Sequence, residues 1–207
     1  MEPKTKNMGY NAMILSPLSL LSQDGEALYY SQQSAFVDQH WLQTLSTSLN
    51  WTNDTVIMFG KLRELHRKSA WYGDPKAMYS YGGIKRTPMP WTPELSFIKQ
   101  HCETLAKTTF NSVLCNFYHD GNDGMGWHAD NEKELGQEPI IASVSFGAER
   151  SFAFKHRLTK QRVDIQLENG SILIMRGQCQ HAWLHSLPKT TKVKEPRINL
   201  TFRNILM

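Results

Sequence analysis

Three sets of residues in the second half of the chain have the types and spacing for metal-assisted oxidation chemistry. His128-Ala129-Asp130 puts an imidazole and a carboxylate two residues apart. On a strand, residues two apart point to the same face, so both groups would project together. A second imidazole from another strand would complete two nitrogens and one oxygen around a metal. Such a facial triad leaves coordination positions open and suits non-haem Fe(II) oxygenases. Downstream, His181 and His185 are both available, and spacing alone does not choose between them. The second set is Arg197-Ile-Asn-Leu-Thr-Phe-Arg203. On a strand Arg197, Asn199, Thr201 and Arg203 share one face, and Ile198, Leu200 and Phe202 share the other. If the polar face is solvated, the arginines need nothing further. If it is enclosed, two buried cations require anionic partners. A small dicarboxylate would serve, because arginine recognises carboxylates with two parallel hydrogen bonds. The third set is Asn116-Phe117-Tyr118, whose polar groups share a face and could bond the same acid.

These residues need a framework of strands, and the pattern supplies one. Residues 1–33 are polar and irregular and read as a flexible or loosely packed arm. Ser34 to Leu49 reads as a helix, with Phe36, Trp41, Leu42 and Leu45 near one face. Val56 to Phe59 is a short apolar strand. Pro88, Pro90 and Thr92-Pro93-Glu94 open a second helix whose apolar face is Leu95, Ile98, Cys102 and Leu105. From residue 111 the period becomes two. Strands are expected at 113–118, 140–146, 151–155, 163–167, 171–175 and 197–203, separated by turn-forming residues. The fold class expected is mainly β with flanking helices (α+β): a jelly roll with the N-terminal helices packed on one sheet.

Composition limits the alternatives. The chain has 207 residues, 40% hydrophobic and 20% charged, which fits one globular domain with a real core. No stretch approaches the roughly 20 apolar residues of a membrane helix. Met13 to Leu21 is too short and interrupted for a signal peptide. The expected setting is therefore intracellular: cytoplasmic in a bacterium, nuclear in a eukaryote. Three widely spaced cysteines read as buried free thiols. A formal charge of +4 permits an anionic partner without requiring one. Basic residues between 61 and 86 (Lys61, Arg63, Arg67, Lys68, Lys76, Lys85 and Arg86) are interleaved with Trp71, Tyr72, Tyr79 and Tyr81. His119, Asp120 and Asp123 read as a turn, and His66, His101 and His156 have no metal-type companions.

Taken in order, the strings NFYHDG, HADNE, IASVSFGAER, HSLP and PRINLTFR resemble the AlkB family of Fe(II)/2-oxoglutarate dioxygenases over residues 55–205. MFGK, WYGDP and YSYGG look like the branch that repairs duplex DNA. The resemblance implies a double-stranded β-helix in a single domain over 34–207, with nucleotide recognition over about 55–92 and a catalytic jelly roll over about 110–207. It implies His128, Asp130 and His185 as iron ligands, the HSLP string choosing His185. Arg197 and Arg203 match the arginines that hold 2-oxoglutarate, Asn116 and Tyr118 match its hydrogen-bonding pair, and Asn199 and Thr201 lie in the same site. The cofactor set implied is Fe(II), with 2-oxoglutarate and O2 as co-substrates. The activity implied is oxidative demethylation of 1-methyladenine- or 3-methylcytosine-type bases, releasing succinate, CO2 and formaldehyde. The expected partner is alkylated DNA, duplex favoured, or RNA, bound by a monomer. Met58, Phe59 and Gly60 look like a finger inserted into the base stack, with Lys61 beside them. Tyr81 matches an aromatic lid, Tyr79 lies near it, and Asn131 and Glu132 could approach the base edge. Relatives carry an acid where this chain has Asn131, which separates it from the pattern there. Two other readings remain at this level: the same chemistry on protein or small-molecule substrates, and a nucleic-acid-binding module with a vestigial metal site.

Overall fold

The computed structural model describes residues 16–58, 61–81 and 84–206. Along them run β1 (Leu18–Ser19), β2 (Glu26–Tyr30), α1 (His40–Ser48), β3 (Thr52–Met58), β4 (Lys61–Gly73), β5 (Tyr79–Tyr81), β6 (Ile84–Arg86), α2 (Pro93–Ala106), β7 (Ser112–Tyr118) and β8 (Met125–His128). A short 3-10 turn (Lys133–Leu135) follows. Then come β9 (Ile141–Gly147), β10 (Arg150–His156), β11 (Arg162–Leu167), β12 (Ile172–Arg176), α3 (Cys179–Ala182), β13 (Trp183–Leu187) and β14 (Arg197–Arg203). A major sheet has the order β1-β2-β12-β9-β14-β7-β4-β3, and a minor one the order β11-β10-β13-β8. β5 and β6 pair separately as a hairpin. The architecture is the expected jelly roll with helices on one side.

Period two explains how the sheets pack. On β9, β12 and β14 the residues Ala142, Val144, Phe146, Ile172, Ile174, Ile198, Leu200 and Phe202 join the core formed with both long helices. The intervening residues Ile141, Leu173 and Met175 face the other way, into a second core with Phe154, Leu167 and Trp183 of the minor sheet. The central strands β9, β12 and β14 are therefore buried on both faces, and all seven residues of β14 are buried. Fully burying one Leu or Ile side chain contributes about 1.5–3 kcal/mol, so these two layers dominate the stability.

α2 follows the sequence closely. The Thr92 side chain accepts a hydrogen bond from Leu95 N at 3.2 Å, Pro93 starts the helix, and Leu95, Ile98, Cys102 and Ala106 are buried. α1 begins later than expected, at His40, where the Asp38 carboxylate accepts the His40 backbone N–H at 2.9 Å. Phe36 precedes it in a turn yet is fully buried against Trp41 and Phe146. The expected arm over 1–33 is corrected from residue 18 onward. β2 is a strand of the major sheet, paired with β12 from Glu26↔Arg176 to Tyr30↔Ile172, and Ala27, Tyr29 and Tyr30 are buried. All three cysteines are buried free thiols, and burial raises each thiol pKa. Among the described residues no helix is long and apolar enough to cross a membrane.

Candidate active site between the two sheets

The register of the sheets builds the site. β8 and β13 are antiparallel with His128 directly opposite His185, so the two rings meet with centroids 4.3 Å apart. Asp130 lies two residues past the end of β8 rather than on a strand, which corrects the simple alternation argument. Its backbone N–H donates to the buried side-chain oxygen of Gln180 at 2.9 Å, which turns its carboxylate inward. The donor atoms of His128, Asp130 and His185 all lie within 4.8 Å of one another. His181, the other candidate, bonds the Gln137 carbonyl on an exposed part of the surface and is absent from the cluster.

Protonation states fit a metal. His128 Nδ1 sits 2.8 Å from the Gly126 carbonyl, which can only accept. Nδ1 therefore carries the hydrogen, and in that tautomer of the neutral ring the lone pair falls on Nε2, 3.8 Å from Asp130 Oδ1. Burial pushes His185 down to about 3, so its imidazole is neutral at pH 7. Burial raises the Asp130 carboxyl, but the Arg203 guanidinium, His185 and His128 outweigh it and hold it down at about 2. Two imidazoles and one carboxylate, open on one side, are a donor set that suits Fe(II).

The facing wall is the polar side of the major sheet. β14 lies between β7 and β9, with Arg197 opposite Tyr118 and Gly147, Asn199 opposite Asn116 and Ser145, and Thr201 opposite Leu114 and Ser143. Residues opposite one another share a face, and all of these except Ser145 and Gly147 line one cavity of about 180 Å³ together with the triad, Met125, Phe152 and Glu132. The two arginines differ. Arg203 Nη2 donates to Asp130 Oδ2 at 2.7 Å, so one of its arms is committed to the metal cluster. Arg197 donates to Ser145 Oγ at 2.9 Å and lies against the Tyr118 ring. Its buried Nε has no hydrogen-bond partner, and among the described residues it has no ion-pair partner. A buried guanidinium without an acid fits a carboxylate ligand. Asn199 is occupied internally: it donates to Ser143 Oγ and the Val144 carbonyl and accepts from Thr201 Oγ1.

The remaining candidates divide. Glu132 lines the cavity, whereas Asn131 is exposed and does not. Arg67 is buried beside Met125 Sδ, which removes it from the expected phosphate contacts. Phe59 and Gly60 lie outside the described residues, as do the side chains of Lys61, Tyr79 and Tyr81. Lys61 opens β4 opposite Met58, and Tyr79 and Tyr81 belong to β5. Residue-by-residue reading missed Ser143 and Ser145, although the alternation in Ile-Ala-Ser-Val-Ser-Phe marks both. It also missed Gln180, which nothing local in the sequence signals.

Comparison with known proteins agrees with this geometry. Residues 29–203 match the 2OG-Fe(II) oxygenase superfamily. The chain is 43% identical to human DNA oxidative demethylase ALKBH2 over 160 residues, which is 73% of this chain and 61% of that protein. It is 39% identical to human alpha-ketoglutarate-dependent dioxygenase alkB homolog 3 over 174 residues, 79% of this chain and 60% of that protein. The chain thus spans about three fifths of the length of these relatives. The solved structure of OsALKBH1 superimposes with a TM-score of 0.58 at 17% identity, over 89% of this chain and 99% of that one, a likeness of fold. With the superfamily match running through both sheets and these relatives similar over about three quarters of its length, the chain belongs to the AlkB family of 2OG-Fe(II) oxygenases.

Proposed function

We propose that this protein is an Fe(II)- and 2-oxoglutarate-dependent dioxygenase that removes alkyl groups from 1-methyladenine- and 3-methylcytosine-type bases in DNA, with duplex favoured over single strands. The observation that carries the reading is the meeting, in one cavity, of the His128–Asp130–His185 cluster and the acid-free guanidinium of Arg197. The names of the relatives, a DNA oxidative demethylase among them, support the substrate class.

In this reading His128 Nε2, an Asp130 oxygen and the His185 imidazole hold the iron. Arg197 holds the distant carboxylate of 2-oxoglutarate, with Tyr118 and Asn116 beside it. When bound, the metal, 2-oxoglutarate and O2 supply hydroxylation of an N-alkyl carbon, with succinate, CO2 and formaldehyde as products. The chain's own residues prepare this. Gly126 O fixes the tautomer of His128, Arg203 keeps Asp130 ionised, and Gln180 aims it. Phe152 stacks on His185, with ring centroids 5.5 Å apart, and keeps that ligand dry. Asn199 and Thr201 line the same cavity and brace the wall that carries Arg197.

A base alkylated on its pairing edge is reached only after flipping out of the stack. Lys61, Arg63, Lys68, Lys85 and Arg86 would contact phosphates, and Phe59-Gly60 would fill the vacated stack. Tyr79, Tyr81, Asn131 and Glu132 would meet the extruded base, Glu132 from inside the cavity. The test is formaldehyde release from a duplex with one 1-methyladenine, its single strand, the RNA equivalent and a methylated peptide. Fastest release from the duplex is expected. Release from the peptide alone would overturn the substrate, and no uncoupled 2-oxoglutarate turnover would overturn the enzyme.

A further inference from the structure

A second group of metal-type donors lies outside the active site. β4 and β7 are antiparallel, with Lys68 opposite Phe117. Continuing that register two residues sets His66 against His119, and their rings meet with centroids 4.4 Å apart. Asp123, in the turn joining β7 to β8, closes on both. His66 Nδ1 is 3.1 Å from each oxygen of its carboxylate, and His119 Nδ1 is 3.3 Å from Oδ2. The three donor atoms lie within 4.8 Å of one another.

We propose that His66, His119 and Asp123 form a second divalent-metal site, structural in role and of the zinc class, that clamps β4 to the turn between β7 and β8.

The spacing admits a metal. The contacts of 3.1–3.3 Å lie at the long end of N–H···O bonds, which run at about 2.7–3.2 Å, and His66 Nδ1 addresses both oxygens equally instead of one lone pair. Ligands about 2.0–2.1 Å from a tetrahedral ion stand about 3.4 Å apart, close to the separations found. Two imidazoles and a carboxylate suit a borderline ion over a hard one.

The site is also built. Asp123 is buried, and the His119 backbone N–H donates to its Oδ2 at 2.8 Å, fixing the carboxylate. The buried Arg150 guanidinium braces the same turn, donating to the carbonyls of Asp123 and Pro188 at 2.8 Å and of Asp120 at 3.2 Å. Only the exposed His66 side chain would need ordering, and open positions remain for water. The turn joins Tyr118 on one sheet to Met125 on the other, both lining the active-site cavity, so the ion would set the gap between the sheets.

Metal uptake decides the question without reference to activity. The metal-free 207-residue chain is titrated with Co2+, with uptake read by absorption and elemental analysis. Comparison is with His66→Ala, which alters an exposed side chain, and His185→Ala, which disables the other cluster. Two ions are expected in the unaltered chain and one in each variant. Zn2+ should raise the melting temperature of His185→Ala but not of the His66→Ala/His185→Ala pair. Loss of all uptake in His185→Ala, or two ions retained in His66→Ala, would overturn the proposal.

Discussion

Arg197→Met separates the need for an anion from a structural role of the guanidinium. Arg197 is 2% exposed, and its hydrogen bond to Ser145 ends on a neutral acceptor. Burial pushes its pKa down; Tyr118 opposes this and Arg150 adds to it, leaving about 10 against the usual 12.5. At roughly 1.4 kcal/mol per tenfold change, holding the charge there is unfavourable by about 3 kcal/mol. Methionine removes that strain, in which the Tyr118 hydrogen bond is already counted, and gives up the hydrogen bond to Ser145, about 1.5–3 kcal/mol for a charged donor. The ligand-free variant should be as stable as the parent or up to about 1.5 kcal/mol more stable. At about 2–4 °C per kcal/mol for a chain of this size, its melting temperature stays level or rises by up to roughly 6 °C. Co-substrate binding should respond oppositely. Two charge-assisted bonds of about 1.5–3 kcal/mol each correspond to roughly 10²- to 10⁴-fold in affinity. The parent at about 100 times its dissociation constant gains about 2.7 kcal/mol, and the variant should gain almost nothing at that concentration. Differential scanning fluorimetry with Mn2+, with and without 2-oxoglutarate, reads both effects. A variant that melts several degrees lower without ligand, or keeps the ligand-induced shift, would refute the reasoning.

Arg150→Met leaves the carbonyls of Asp120, Asp123 and Pro188 without their buried donor and should lower the melting temperature by roughly 10 °C, measured by calorimetry. Gly25 has φ 120°, and a Cβ there would stand 2.3 Å from the Cys179 backbone nitrogen. Gly25→Ala should therefore destabilise by at least about 2 kcal/mol in urea titration, and an unchanged midpoint would contradict the close approach. Gln180→Leu removes the acceptor for Asp130 N; Mn2+ affinity should fall about 10- to 100-fold with circular dichroism unchanged.

The parts of the fold legible in the sequence are those decided locally. α2 carries its own cap, its proline and one apolar stripe, so its start is fixed within the segment. β14 alternates without a break because one face meets an aliphatic core and the other a polar cavity. β2 has no such signature, because its strand character comes from pairing with β12, far away in sequence. β8 is an edge strand of the minor sheet with mostly half-exposed residues, so no alternation develops. The site divides along the same line. His128, Asp130 and the arginines announce themselves by type and spacing. Gln180, and the meeting of His66 with His119 and Asp123, depend on chain segments brought together only by the sheets.

The two halves of the active site stand on opposite sheets. His128 and His185 come from the minor sheet, whereas Arg197, Asn116 and Tyr118 come from the major one. Inter-sheet distance is set by apolar packing, which is non-directional and cannot by itself fix a polar separation to a fraction of an ångström. Direction must come from bonds that cross the gap. Arg203, from β14, supplies one by reaching Asp130 at 2.7 Å. The planar guanidinium suits this role: it fixes the carboxylate's orientation as well as its charge, which a lysine ammonium would not. The same pair explains why the site tolerates two buried arginines. Asp130 neutralises Arg203 inside the protein, which leaves the charge of Arg197 as the part that only a ligand can answer.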